Sequence, residues 1–162
     1  MSCPAWTYES YSDAYASDTV TSGGVARAGL AMEKANSDVS ITIGHRYSQL
    51  FQWIVDARSA AETDNWDGDG APAIDARVVD AAIILSNALP QSLPLPQVQA
   101  EPTGEITFEW YKDRTHVAVL AVDCANVRWS AIAGTDAPRS GAAPFMKTLP
   151  SAALAVIREV LS

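Results

Sequence analysis

Three runs of alternating apolar and polar residues, joined by very short polar turns, constrain this chain more than any other feature of its sequence. In the first run Ile106, Phe108 and Trp110 fall on one face, and two further runs continue the alternation. A period of two residues is typical of strands with one buried face, and connections this short join antiparallel neighbours. Together with a shorter run that precedes them, the three runs predict an antiparallel β-meander of about four strands. The predicted strands are 98–100, 105–111, 116–123 and 127–133.

A helix–loop–helix is predicted before the meander. Apolar residues recur at helical spacing from about Arg46 to Glu62 and again from Asp75 to Leu89. Asp75 stands where an N-cap carboxylate accepts backbone N–H groups. Pro90 ends the second helix, because proline cannot continue the hydrogen-bond ladder.

The end of the chain completes the predicted fold. Segment 134–144 is predicted to be a loop, and Pro150 suits the first turn of a C-terminal helix. Short antiparallel strands flanked by helices cannot form a doubly wound parallel sheet. The natural solution is an α+β fold of two layers, with helices against one face of the sheet.

The first quarter of the chain has a different composition. We predict that residues 1–44 form an N-terminal arm with a short helix at 24–36 and a short strand at 37–44, and that residues 45–162 form the α+β core domain. Serine, threonine and a Gly-Gly pair favour a loosely structured start to the arm. We expect the arm to dock through its aromatic side chains, which include Tyr8, Tyr11 and Tyr15.

The negative charge is concentrated in one part of the chain. The formal net charge is −8, and residues 56–80 hold seven acidic residues against two arginines, a net charge of −5. Such a surface repels phosphate backbones, so direct nucleic-acid binding is not expected. It favours a protein partner with a basic surface instead.

The cysteines and the hydropathy pattern bear on location. No apolar run approaches the roughly 18 residues needed to span a membrane, and the N-terminus lacks the basic and apolar regions of a signal peptide. Cys3 and Cys124 are the only cysteines. We therefore expect a cytoplasmic protein with two unpaired thiols and no membrane partner.

The segment 64–70 between the two helices carries the sharpest motif. Its N-x-D-x-D-G pattern begins at Asn65 and resembles the start of an EF-hand calcium loop. The twelfth position counted from Asn65 should be a bidentate glutamate but is Ala76, so a hard cation would lose two oxygen ligands. A calcium-binding domain or a metal-dependent hydrolytic enzyme stays an alternative that would use Asp64, Asp67 and Asp69.

The same segment also suits a structural link between helices. Gly68 and Gly70 permit positive φ angles, while Asn65 and Asp67 are expected to accept hydrogen bonds from nearby backbone N–H groups. A tryptophan at position 66 would lie over the helix pair. A partner-binding role can coexist, because tryptophan and carboxylates on an exposed loop suit a basic partner. The candidate partner-binding residues are Glu62, Asp64, Trp66, Asp67, Asp69, Tyr8, Tyr11 and Tyr15.

No catalytic constellation is predicted. His45 and His116 are far apart, without a cysteine or aspartate at metal-ligand spacing. Glu105 and Glu109 share a strand face about 13 Å apart, too far for the close carboxylate pair of a retaining glycosidase. The stripe formed by Phe108, Trp110 and Trp129 is expected to be core. We predict a non-enzymatic protein without a cofactor or bound metal.

A longer pattern resembles a protein family. It comprises N-W-D-G-x-G-A, then a helix ending in L-P, then L-P-x-P, then G-E-I-x-F-E-W, and it resembles a widespread family of small, uncharacterised bacterial proteins. The resemblance covers residues 48–134 and carries no established activity or catalytic residue. It implies an accessory protein of bacteria and their mobile elements. The four parts of the pattern lie at 65–71, 89–90, 93–96 and 104–110.

Together these observations predict an acidic protein-binding module. By analogy with other small acidic accessory proteins, it would act as a mobile-element or phage-type inhibitor or antitoxin. Its partner would be a nucleic-acid-handling protein, such as a defence nuclease in an anti-CRISPR-like interaction, because such proteins have basic grooves. Besides the metal-dependent alternative, a homo-oligomeric structural protein that hides its sheet edge in a homodimer stays open.

Overall fold

An antiparallel sheet and three helices make up the described part of the chain, which in this computed structural model is 29–162 for the backbone and 44–162 for side chains. The α+β class predicted from the sequence is confirmed, with five strands instead of about four. The elements are α1 (Gly29–Ala60), α2 (Ala76–Ala88), β1 (Gln97–Ala100), β2 (Ile106–Asp113), β3 (His116–Val122), β4 (Asn126–Ala133), β5 (Arg139–Pro144) and α3 (Ser151–Leu161).

The sheet is a simple meander whose strands lie side by side in chain order, each antiparallel to the next. The predicted alternation gives the sheet two distinct faces. The face that we call the core face is buried, and α2 and α3 pack on it, while α1 packs against α2 and β1. The buried strand residues on the core face are Ile106, Phe108, Trp110, Ala118, Leu120, Val122, Val127 and Ala131.

Helix α2 begins and ends where the sequence predicts. Asp75 is its N-cap, and the carboxylate accepts a hydrogen bond of 2.8 Å from the backbone N–H of Arg77. Ile74 before the cap and Val79 after it are both buried, as a hydrophobic staple requires. Leu89 closes the helix immediately before Pro90. Local contacts therefore define both ends of α2.

The predicted short strand at 37–44 is wrong, because the backbone from Gly29 to Ala60 is one continuous helix of 32 residues. The prediction rested on three alternating β-branched residues. Each of these costs a helix only about half a kcal/mol relative to alanine, which the helix formers on either side offset. The helix runs through residue 44, and the division into an arm and a core domain at that point stays a prediction.

The segment predicted as a loop, 134–144, contains the edge strand β5. Its sequence has no bulky alternating residues that would have indicated a strand. Gly141 pairs with Trp129 of β4, and a Cβ at Gly141 would lie only 2.3 Å from the indole ring. The ring thus packs directly on the glycine backbone. Pairing in β5 depends on this cross-strand contact, which no local pattern reveals.

Cys124 corrects a further expectation. It lies in the turn between β3 and β4 and is disulfide-bonded, so the prediction of two unpaired thiols is wrong. Cys3 lies outside the described residues. Disulfides persist mainly in oxidising compartments, so the cysteines do not support the predicted cytoplasmic location. Among the described helices, none has the length and apolar character needed to cross a membrane.

Candidate functional site

The acidic loop, which we define as residues 62–70, follows the end of α1. Three of its residues have a left-handed backbone conformation. These are Asn65 at φ 64°, Gly68 at φ 84° and Gly70 at φ 95°. Glycine adopts this conformation without steric cost, and asparagine tolerates it better than most residues. The loop therefore folds back tightly, and Ala61 and Ile74 on its two sides are joined by a backbone hydrogen bond of 3.0 Å.

Side-chain oxygens of the loop accept hydrogen bonds from its own backbone. Asn65 Oδ1 accepts from the N–H of Gly70 at 2.7 Å. Asp67 Oδ1 accepts from the N–H groups of Asp69 and Ala71, at 2.9 and 3.0 Å. These are the Asx-type bonds predicted from the sequence, and they stabilise the backbone of the loop locally.

Asp64 and Trp66 tie the loop to the segment that enters α2. Asp64 Oδ1 accepts a hydrogen bond of 2.9 Å from the N–H of Ala73. The indole N–H of Trp66 donates to the carbonyl of Pro72 at 3.1 Å, and the half-buried ring packs against the core. Trp66 thus has the structural role of a lid, and only the exposed part of its ring is available to a partner.

The carboxylates of the acidic loop face solvent. Glu62, Asp64, Asp67 and Asp69 are exposed, and within residues 44–162 none of them forms an ion pair. Hydrogen bonds from the backbone of Ala71 and then of Asp69 lower the pKa of Asp67, so its carboxylate stays ionised. The structure brings these four carboxylates together on one short, ordered loop.

The other candidate site residues are the three N-terminal tyrosines and the possible metal ligands. Tyr8, Tyr11 and Tyr15 lie outside the described residues. Among residues 44–162, no group of three or more histidine, cysteine, aspartate or glutamate side chains is arranged to hold a metal ion. The calcium-loop alternative therefore gains no support from the arrangement of the side chains in the acidic loop.

A pair that the sequence analysis missed lies at the β2–β3 hairpin. His116 Nδ1 is 3.0 Å from both carboxylate oxygens of Asp113, and the Thr115 hydroxyl donates to Asp113 Oδ1 at 2.6 Å. The Thr115 hydroxyl and then the His116 ring hold the pKa of Asp113 well below its usual range. The spacing of three residues across a tight turn was the available signal. The contact orients the imidazole at an exposed hairpin tip.

A second missed pair joins distant parts of the sequence. Arg128 of β4 donates to Glu105 Oε2, which also accepts from the Thr103 hydroxyl at 2.9 Å. Glu105 is buried, and its Oε1 has no hydrogen-bond partner among the described residues. Its side chain points away from the core face, since its neighbour Ile106 is in the core. No local pattern could have indicated a buried carboxylate at this position.

A shallow groove of about 330 Å³ lies between α1 and β1. Its walls are largely apolar, and Asp56 supplies its one carboxylate. Its lining residues supply few polar groups for a small molecule, and we assign it no role. The residues that line it are Trp53, Asp56, Ala57, Leu95, Pro96, Gln97 and Val98.

The N-cap beside the acidic loop gives a pH-dependent prediction. The side chain and then the backbone N–H of Arg77 lower the pKa of Asp75 from 3.8 to about 2. A depressed pKa in the folded state stabilises the fold above pH 3.8 and stops doing so as pH falls towards 2. We expect Asp75→Ala to lower the free energy of unfolding by about 1 kcal/mol at pH 7. In urea titrations this difference should shrink towards pH 2.

Asp75→Asn is the matched control for that prediction. Asparagine is an equally good N-cap but does not titrate, so this variant should keep most of its stability at pH 7. It should also lose less stability than the natural chain on acidification. An Asp75→Ala difference that is the same at pH 7 and pH 2 would contradict the role of the carboxylate.

Comparison with protein-family models, with curated proteins and with solved structures finds no match to this chain. The family resemblance of residues 48–134 stays a prediction.

Proposed function

We propose that the protein is a non-enzymatic binding module whose acidic loop occupies a basic surface on a protein partner. One observation carries the proposal. Four exposed carboxylates, at Glu62, Asp64, Asp67 and Asp69, have no ion-pair partner among residues 44–162, and hydrogen bonds hold their loop in place. A surface that is ordered before binding loses less entropy on association than a flexible one.

The charge of the loop defines the class of partner. Complementary charge accelerates encounter and rejects partners of the same sign. Proteins that handle nucleic acids have basic grooves to contact phosphates, and a cluster of four carboxylates matches such a groove. We therefore propose an inhibitor or antitoxin of the mobile-element or phage type, with a defence nuclease as one kind of target. The predicted cytoplasmic location is not part of this proposal, because Cys124 is disulfide-bonded.

Removing three of the four negative charges of the acidic loop should weaken binding of the partner. The Asp64→Asn, Asp67→Asn and Asp69→Asn changes together remove three charges, yet they keep the oxygens that accept the loop's backbone hydrogen bonds. Exposed ion pairs are each worth roughly 0.2–1 kcal/mol, so we expect affinity to fall about 10- to 100-fold. The measurement is affinity capture from a lysate of the native host, elution with a salt gradient and identification by mass spectrometry.

The control variant removes the same number of charges elsewhere. Asp56, Asp80 and Asp136 are exposed and lie outside the acidic loop, and their replacement by asparagine should leave capture nearly unchanged. A partner retained equally by both triple variants would overturn the proposal. A partner eluted at the same salt concentration from the natural chain and the loop variant would also overturn it.

A further inference from the structure

The sheet face opposite the helices, which we call the outer face, ends in a row of three carboxylates. The last paired layer of β1, β2 and β3 consists of Ala100, Ile106 and Val122, whose side chains pack in the core. Side chains alternate between the two faces of a sheet, so the residues one position further out point to the outer face. A backbone hydrogen bond of 2.9 Å from Glu101 to Glu105 continues the pairing at this level. The three residues, which we call the carboxylate row, are Glu101, Glu105 and Asp123.

The carboxylate row carries more negative than positive charge. Arg128 of β4 supplies one guanidinium to the row, through its hydrogen bond to Glu105 Oε2. Among the described residues, no other ion pair involves the row. Like charges at neighbouring positions across strands repel each other. A second cation at this end of the outer face would therefore be stabilised.

The carboxylate at the centre of the row has an unused acceptor. Glu105 is only 5% exposed. Its Oε2 accepts from Arg128 and from the Thr103 hydroxyl, whereas Oε1 has no hydrogen-bond partner in the described part of the chain. A buried oxygen without a donor has lost its water and gained nothing in exchange. Thr103 and Arg128 are both exposed, so the side chains that contact Glu105 are surface groups that can rotate to admit a ligand.

We propose that the carboxylate row binds a guanidinium group, the side chain of an arginine on a protein partner. A guanidinium has five N–H donors in a planar fork and is less strongly hydrated than an ammonium. It therefore donates to Glu105 Oε1 and to a neighbouring carboxylate at once, and it enters a partly buried site at lower cost. Among residues 44–162, no acidic side chains are arranged to hold a metal ion, so an organic cation fits the row better.

The carboxylate row adjoins the segment that follows the acidic loop. A Cβ at Gly104, the residue before Glu105, would lie 3.8 Å from Pro72 Cγ. The carbonyl of Pro72 in turn accepts the indole N–H of Trp66 at 3.1 Å. One partner can therefore contact the acidic loop and place an arginine in the row. That the arginine belongs to a protein rests on the proposed function, whereas the guanidinium site itself does not.

Binding of methylguanidinium chloride to the full chain tests the site, with NMR shifts of backbone amides as the readout. We expect saturable shifts beside the carboxylate row, and an affinity about fivefold lower for methylammonium at equal ionic strength. Glu105→Gln should weaken methylguanidinium binding about tenfold, because it removes the charge that strengthens the hydrogen bond. Glu109→Gln is the matched control. It lies on the same face of β2, four residues further along, and should leave the affinity unchanged.

A second variant covers the case in which Glu105→Gln does not fold. Glu101→Gln lies at the β1–β2 turn, where its side chain is half-buried and outside the core, and it should weaken binding about threefold. The inference is overturned if methylguanidinium gives no saturable shift at the row, if methylammonium binds equally well, or if the folded Glu105→Gln or Glu101→Gln variant binds as tightly as the natural chain.

The same titration separates this site from the proposed function. The combined Asp64→Asn, Asp67→Asn and Asp69→Asn variant should bind methylguanidinium as the natural chain does, since its substitutions lie outside the carboxylate row. A failure of the guanidinium site appears with the small probe. A failure of the proposed function appears in partner capture from the lysate.

Discussion

Replacing Trp110 with alanine should lower the free energy of unfolding by about 3–5 kcal/mol. The free energy of unfolding of a small domain is only about 5–15 kcal/mol. A substantial fraction of the variant should therefore be unfolded at physiological temperature. Trp110 is 2% exposed at the centre of the core face, and its indole N–H donates to the carbonyl of Pro94 at 2.9 Å. Truncation leaves a large cavity and a carbonyl without its partner. Urea unfolding followed by circular dichroism measures the loss.

Two further substitutions separate the contributions to that loss. Trp110→Phe keeps a buried ring but removes the hydrogen bond to Pro94, which we expect to cost about 1–3 kcal/mol. Trp53→Ala removes a half-buried tryptophan, so its loss should be smaller than that of Trp110→Ala, since less apolar surface is re-exposed. Equal losses for Trp53→Ala and Trp110→Ala would contradict the central place of Trp110 in the core.

Much of the sheet could be predicted because its information is local. Ile106, Phe108 and Trp110 alternate within five residues, and burial of one face follows directly from that period. The start of α2 could be predicted for the same reason, because an N-cap needs only Asp75 and the residues beside it. These elements did not depend on knowing which distant residues they would meet.

The elements that escaped prediction depend on contacts between distant residues. Strand β5 is held against β4 by Trp129 over Gly141, and neither residue reveals this alone. The short strand predicted within α1 failed for a different reason. Three alternating β-branched residues do not outweigh the cooperativity of a helix that already continues on both sides.

The acidic loop was predictable in its local bonds and in its charge. The Asx-type acceptors Asn65 and Asp67 act within a few residues, so their partners could be expected from the sequence. The absence of ion pairs between these carboxylates and the described part of the chain could not, because it depends on where the arginines of other elements lie. It is this spatial isolation of charge, more than the number of acidic residues, that supports a binding role.

Breaking the Glu105–Arg128 pair should be the second most damaging change. Arg128→Leu keeps an aliphatic cover but leaves a buried carboxylate with Thr103 as its remaining partner. Removing one member of a fully buried pair costs about 3–5 kcal/mol. The Arg128 side chain is 54% exposed, so we expect roughly 2 kcal/mol at pH 7. The exposed Arg139–Glu159 pair is the control, and Arg139→Leu should cost less than about 1 kcal/mol.

A double-mutant cycle identifies the cause of that loss. If the cost of Arg128→Leu comes from a stranded negative charge, then adding Glu105→Gln should restore about 1 kcal/mol or more, because glutamine carries no charge into the buried site. If the cost comes only from lost packing of the arginine stem, the second substitution should restore nothing. Recovery in urea unfolding would show that Arg128 is required because Glu105 is charged and buried. Glu105 and Arg128, which no local sequence pattern relates, would then be energetically coupled across the sheet.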